Sequence, residues 1–146
     1  MNESAVVDYI TQTFPNVETL DNLGYTFFFY GPERKLPFAT LIASDVEGDS
    51  LSNLNRPGIF RLNIGVSKQT FQALFGTAPV EVNNYDFTAL DVIMPHPHYA
   101  DYHFICVLSP SAATFEKVRF LLAEAYEMAA QRYARTTCPS TWRPWR

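Results

Sequence analysis

Ile59-Phe60-Arg61-Leu62-Asn63-Ile64-Gly65-Val66 alternates in character from one end to the other. Successive side chains of an extended chain point to opposite faces, so Phe60, Leu62, Ile64 and Val66 fall together, with Ile59, Arg61, Asn63 and Gly65 opposite them. The spacing predicts a β-strand with one face on a core and the other more polar. An arginine in mid-strand is costly unless its guanidinium reaches water, an acid or a ligand. Arg61 and Asn63, joined by His103 from another strand, therefore mark a candidate ligand-binding face. A solvated face or an internal ion pair with an acid is the other reading.

Outward from this strand, Ser67 caps a short helix carrying Phe71, Leu74 and Phe75, and Gly76 stops it. Upstream, Thr26–Tyr30 (TFFFY) and Phe38–Ala43 read as strands, and Gly31–Lys35 between them makes an antiparallel hairpin. Both faces of TFFFY are apolar, so that strand is central, covered on both sides, or part of a subunit contact. Asp45–Pro57 reads as a loop, and Tyr85–Met94 fits either a short helix or an extended edge. Tyr102–Leu108 alternates again, with His103, Ile105 and Val107 opposite Tyr102, Phe104, Cys106 and Leu108.

Helices close both ends of the pattern. Val6, Val7, Ile10 and Phe14 recur at helical spacing behind Asn2 as N-cap. Ser109-Pro110 opens the longest helix, with Ser111 as a rival cap, and Phe115, Val118, Leu122, Ala125, Met128, Ala129 and Tyr133 form its stripe. The fold expected is α+β: an antiparallel sheet with helices packed on one face, including an N-terminal helix and a long C-terminal helix. Residues 1–134 form a single domain in this reading, and 135–146 form a flexible tail.

The charge of −4 is unevenly spread. Residues 1–133 carry eight Lys and Arg against fifteen Asp and Glu, a balance of −7, while Arg135, Arg143 and Arg146 follow with no acid. So acidic a body repels phosphate backbones, which disfavours nucleic acid as a partner. No apolar run approaches the roughly 20 residues that cross a bilayer, and no secretory stretch follows Met1. Two cysteines make no disulfide framework: Cys106 reads as a buried thiol and Cys138 as an exposed one. The expected location is cytoplasmic, without a membrane partner.

The three histidines of the chain, His96, His98 and His103, fall within eight residues with Asp101 between them. Imidazole and carboxylate suit zinc or iron, so these four are candidate metal ligands. The spacing matches no H-E-x-x-H or C-x-x-C pattern, and imidazoles bonded to loop backbone are the plainer reading. Asp45–Ser50 lacks the register of a calcium loop and reads as a solvated turn. Cys106 and His103 lie three apart on a strand and face away from each other, which argues against a nucleophilic pair. No catalytic residue is assigned, no cofactor is expected, and enzymatic activity is not the favoured reading. Trp142-Arg143-Pro144-Trp145-Arg146 mixes aromatic and basic residues as base-stacking segments do, but an ordinary chain end fits as well.

Two stretches carry a resemblance: TFFFYGPERKLPFATLIASD with RPGIFRLNIGVSKQTFQALFG, and YDFTALDVIMPHPHYADYHFICVLSPSAATFEKVRFLLAEAYEMAAQRY. Together they resemble a bacterial family known only as domain of unknown function 6194. More distantly, FRLNIGV, SKQTFQALFG, HFICVLS and EKVRFLLAEAYEMAA look like the MmcQ/YjbR-like group. That resemblance implies a frataxin-like α+β fold and a double-wing DNA-binding motif, here using Arg34, Lys35, Arg56, Arg61 and Lys68. The leading expectation is a non-catalytic binding or interaction module, homodimeric through the aromatic strand or a helix face. A DNA-binding regulator and a small-ligand or metal-binding protein are the alternatives.

Overall fold

In the computed structural model, residues 1–31 and 35–137 are described. Asn2 caps helix α1 (Glu3–Thr13), its side chain accepting from the Ala5 amide at 2.8 Å. The chain then turns at Asn16, whose φ is 63°. Strands β1 (Val17–Asn22), β2 (Tyr25–Tyr30), β3 (Ala39–Ile42) and β4 (Arg61–Gly65) follow. Helix α2 (Lys68–Phe75) comes next, then strands β5 (Ile93–Pro95) and β6 (Phe104–Leu108) and helix α3 (Ala112–Thr137). The strands form one sheet in the order β1-β2-β3-β4-β6-β5, antiparallel at every pairing.

The alternation in the central strand decides which side the helices take. Leu62 and Ile64 sit in one core with Phe28, Ala39, Leu41, Ile105 and Val107 from neighbouring strands. Val6 and Ile10 of α1, Phe71 of α2, and Phe115, Val118, Leu122, Ala125 and Ala129 of α3 close that core. Each fully buried aliphatic side chain stabilises the fold by about 1.5–3 kcal/mol, so α3 is fixed chiefly by its stripe. On the other face a smaller cluster gathers Ile42, Leu54, Phe87, Met94, Cys106 and Leu108. Loops rather than helices cover it. The aromatic strand β2 is one position in from the edge, sending Phe28 to the helix side.

Several sequence expectations need correction. Val17–Asn22, where the sequence suggested no strand, is an edge strand: pairing along its whole length with β2 overrides weak propensity. The strand expected from Tyr102 begins at Phe104, because Ala100–Tyr102 is a 3₁₀ turn and His103 is left-handed at φ 63°. Ser111, and not Ser109, caps α3: its hydroxyl accepts from the Thr114 amide at 3.2 Å, while the Ser109 hydroxyl accepts from Phe60. Tyr85–Met94 resolves into irregular chain that enters the short edge strand β5. Helix α3 continues to Thr137, three residues past the expected boundary. Pro32–Arg34 of the hairpin turn, and residues 138–146 with Cys138 and the Trp142–Arg146 segment, lie outside the described residues.

Candidate functional site

Strand pairing stacks residues of one face into rows. Tyr25, Ile42, Arg61 and Leu108 form one row across four strands, and Phe27, Thr40, Asn63 and Cys106 form the next. Both rows lie on the face away from the helices. Arg61 is wholly buried there, with 0% of its surface exposed. Its partner comes from the Asp45–Pro57 loop. Val46 and Asp49 exchange backbone hydrogen bonds of 3.0 and 3.2 Å around Glu47-Gly48, and Gly48 takes φ 83°, which a side chain would strain. This tight turn aims Asp49 inward.

The ion pair is two-pronged: Arg61 Nη1 donates to Asp49 Oδ1 at 3.0 Å and Nη2 to Oδ2 at 2.5 Å. Nη1 also reaches Ser52 Oγ at 3.1 Å, and Nε donates to Asn63 Oδ1 at 2.9 Å. Tyr25 donates its hydroxyl to Asp49 Oδ2. Burial alone would raise the Asp49 carboxyl, but the hydrogen bonds from Arg61 and Tyr25 outweigh it and hold it below the ordinary carboxylate value. Burial and the same carboxylate push the Tyr25 phenol well upward, so it stays protonated. A pair so fully bonded answers the cost of burying two charges, and removing either partner would leave the other stranded.

Above this layer the sheet surface is open. A pocket of about 590 Å³ has Tyr25 and Phe27 of β2, Thr40 of β3, Asn63 of β4 and Phe104 of β6 as its sheet-side lining. Leu23 and Leu36-Pro37 line it from one set of loops, and His96, Tyr99 and Tyr102 from the segment before β6. Among the described residues no Lys, Arg, Asp or Glu lines it. Rings dominate the surface: Tyr25 and Phe27 lie 5.8 Å apart between centroids, and His96 and Tyr99 lie 5.0 Å apart.

In the Pro95-His96-Pro97-His98 segment Pro95 ends strand β5 and the chain turns from Pro97, the two prolines keeping it out of a helix interior. The His96 amide donates to the Phe104 carbonyl at 2.9 Å and ties the segment to β6. Its ring then organises the following turn, Nδ1 accepting from the amides of His98 and Tyr99 at 3.0 Å each. The ring is 3% exposed, and burial with the Arg61 charge lowers its pKa to about 3. His96 is therefore neutral at ordinary pH, and because Nδ1 is an acceptor the proton sits on Nε2.

The residues singled out from sequence thus part company. Arg61 and Asn63 share one buried network. His103 does not join them: it falls on the side of Ile105 and Val107, with its ring 5.6 Å from that of Phe71, a residue of the helix-side core. His98 lies 3.6 Å from Asp49 Oδ1, and Asp101 is exposed in the 3₁₀ turn. His96, His98, Asp101 and His103 are not drawn together: among the described residues no three His, Cys, Asp or Glu side chains are grouped so as to hold a metal ion. Asp49 was read as part of a solvated turn and is instead 5% exposed, because the turn geometry and Arg61 draw it in. Tyr25, Phe27 and Thr40 escaped notice too, although the hairpin register with Arg61 and Asn63 carried their placement. Of the basic residues proposed for a DNA wing, Arg61 is sealed in its ion pair. Arg56 is bound to the carbonyls of Ser52, Asn53 and Thr88. Among the described residues no helix is long and apolar enough to cross a membrane.

A family described as "Family of unknown function (DUF6194)" matches residues 1–138. No curated protein matches the chain.

Proposed function

From a chain that belongs to the DUF6194 family, whose description assigns no function, we propose a non-catalytic module that binds a small molecule in the pocket on the helix-free face of the sheet. One observation carries the reading: about 590 Å³ of concave, mostly aromatic surface stands over a polar network that is already satisfied. Small-molecule sites have this size and make-up, an apolar cleft of roughly 300–1,000 Å³ with few placed polar groups. The ion pair beneath acts as a rigid base. Nothing in it must rearrange to admit a ligand, which keeps the cost of binding low.

The state of the ionisable groups supports binding over catalysis. Cys106 is buried and its thiol is pushed up to about 12, so it is no nucleophile at neutral pH. Asp49 is committed to Arg61 and Tyr25, and His96 Nδ1 to two amides. The double-wing reading has less support, since Arg61 is buried and Arg56 is occupied.

Nile red, an uncharged dye that brightens in apolar sites, tests the proposal. The expected result is saturable one-to-one binding to the full chain, weakened at least tenfold by Phe27→Asp in a variant whose circular dichroism is unchanged. Non-saturable enhancement, or equal binding by the variant, rejects it.

A further inference from the structure

The hydrogen-bond network beneath the pocket has a direction. A guanidinium has donors only, so the Asn63 oxygen must be the atom facing Arg61 Nε, 2.9 Å away. That fixes the amide: Nδ2 points the other way and donates to Thr40 Oγ1 at 3.0 Å. The Thr40 oxygen is thereby engaged as an acceptor, and what the hydroxyl still has to give is its proton. Thr40 lines the pocket. The chain from Asp49 through Arg61 and Asn63 therefore ends in a donor. His96 follows the same logic from a different element. With Nδ1 accepting two amides, the remaining ring nitrogen of this pocket-lining residue is also a donor. The Asn63 oxygen is taken, its nitrogen gives one of its two hydrogens to Thr40, and the Tyr25 hydroxyl is spent on Asp49.

Resting on the pocket reading above, we infer that the ligand is an uncharged, flat, largely apolar molecule bearing a hydrogen-bond acceptor such as a ring carbonyl, received by the Thr40 hydroxyl with the His96 Nε2–H as second donor. Flatness follows from the lining. Phe27 and Phe104 on the sheet and Tyr99 from the loop offer ring surfaces, which favour a conjugated ring system. Neutrality follows from the described lining, which has no side chain of either charge to compensate an ion stripped of water. The guanidinium below cannot serve an anion, because it is wholly buried beneath the pocket and four of its five N–H groups are directed at Asp49, Ser52 and Asn63. A bare hydrocarbon would fit by shape but would leave the two donors without a partner, and a buried donor so stranded lowers affinity roughly fivefold or more.

Four tricyclic probes of similar size, competing with Nile red on the full chain, decide the matter: fluorenone, fluorene, fluorene carboxylate and N-methylacridinium. Fluorenone is expected to bind roughly fivefold or more tighter than fluorene, and the two ions more weakly than fluorenone by at least tenfold. Thr40→Val keeps the side-chain shape and removes the proton. It is expected to cut the fluorenone preference roughly three- to tenfold while leaving fluorene unchanged, with Thr40→Ser restoring it. Equal affinity for fluorenone and fluorene, or tighter binding of either ion, overturns the inference, even on a protein that binds Nile red. Failure of Nile red itself removes the pocket reading instead. The four wild-type affinities decide by themselves should Thr40→Val not fold, and a folded Thr40→Val that keeps the full preference contradicts the role of the relay.

Discussion

On the helix side of the sheet, Leu62 and Ile64 meet Phe115, Val118 and Leu122 in a continuous apolar core. On the other side the same strand presents Arg61 and Asn63 to a loop and a pocket. The helix side is filled by area alone, and its members are interchangeable with apolar neighbours of similar volume. The loop side is held by directed bonds between named atoms, where a swap of one side chain strands its partner. A binding surface belongs on the second kind of face, because a sheet covered by a helix has no room left. Here loops cover only part of it, and the satisfied ion pair keeps the uncovered part from collapsing.

Substitutions on the two faces should separate these modes. The largest effect is expected from Arg61→Met, which leaves Asp49 buried without its cation: about 4 kcal/mol lost in urea denaturation. Arg61→Met with Asp49→Leu should recover most of that loss, whereas a double variant as unstable as the single one would show that the ion pair is not the source. Leu62→Ala, on the same strand but facing the helices, should cost about 3 kcal/mol through the cavity it opens. It should spare Nile red binding, which Arg61→Met should weaken. Loss of binding in Leu62→Ala at temperatures where it is folded would mean that the two faces are not independent.

Acid should act on the loop side. His96 has a folded pKa of about 3 against an ordinary 6.5, so as pH falls below 6.5 the unfolded chain takes up a proton that the folded chain refuses. Stability is therefore complete above pH 6.5, falls toward pH 3 and levels off below it. The slope is at most about 1.4 kcal/mol per pH unit, and a loss of about 3 kcal/mol by pH 4 is expected. Asp49 is depressed below its ordinary value and contributes only to a further loss at still lower pH. His96→Gln should abolish the slope between pH 6.5 and 4 while leaving the lower one. Smallest of all, Ser111→Ala should cost about 1 kcal/mol by removing the cap of α3, with no change in pH profile or binding.

How much of this was readable beforehand also divides by face. The helix side was legible because periodicity reports burial directly: the alternation in Ile59–Val66 and the stripe from Phe115 to Tyr133 identified two partners that do meet. Ser67 and Gly76 bracketed α2 correctly, since caps are local chemistry. The edge strand β1 was hidden because Glu18, Asp21 and Asn22 are poor strand formers, and long-range pairing with β2 decides their conformation. On the loop side a mid-strand arginine needs a partner, and Arg61 has one in an internal ion pair, one of the readings its position allows. Its partner was illegible, because Asp49 reaches Arg61 through a turn that no periodicity encodes. His103 was misplaced relative to Arg61 and Asn63 for a similar reason. His103 keeps the side of Ile105 and Val107, as the alternation has it, but that is the helix side, because Arg61 and Asn63 pair with Leu108 and Cys106, and no periodicity encodes that pairing.

The most direct test is nuclear magnetic resonance of the full chain with and without Nile red. Intermolecular contacts from the dye to Phe27, Thr40 and Tyr99 are expected, with shifts confined to the loop-side face and the helix-side methyls of Leu62, Ile64 and Leu122 unmoved. Dye contacts at the helical face, or saturable binding with no contact to Thr40 and Phe27, would contradict it.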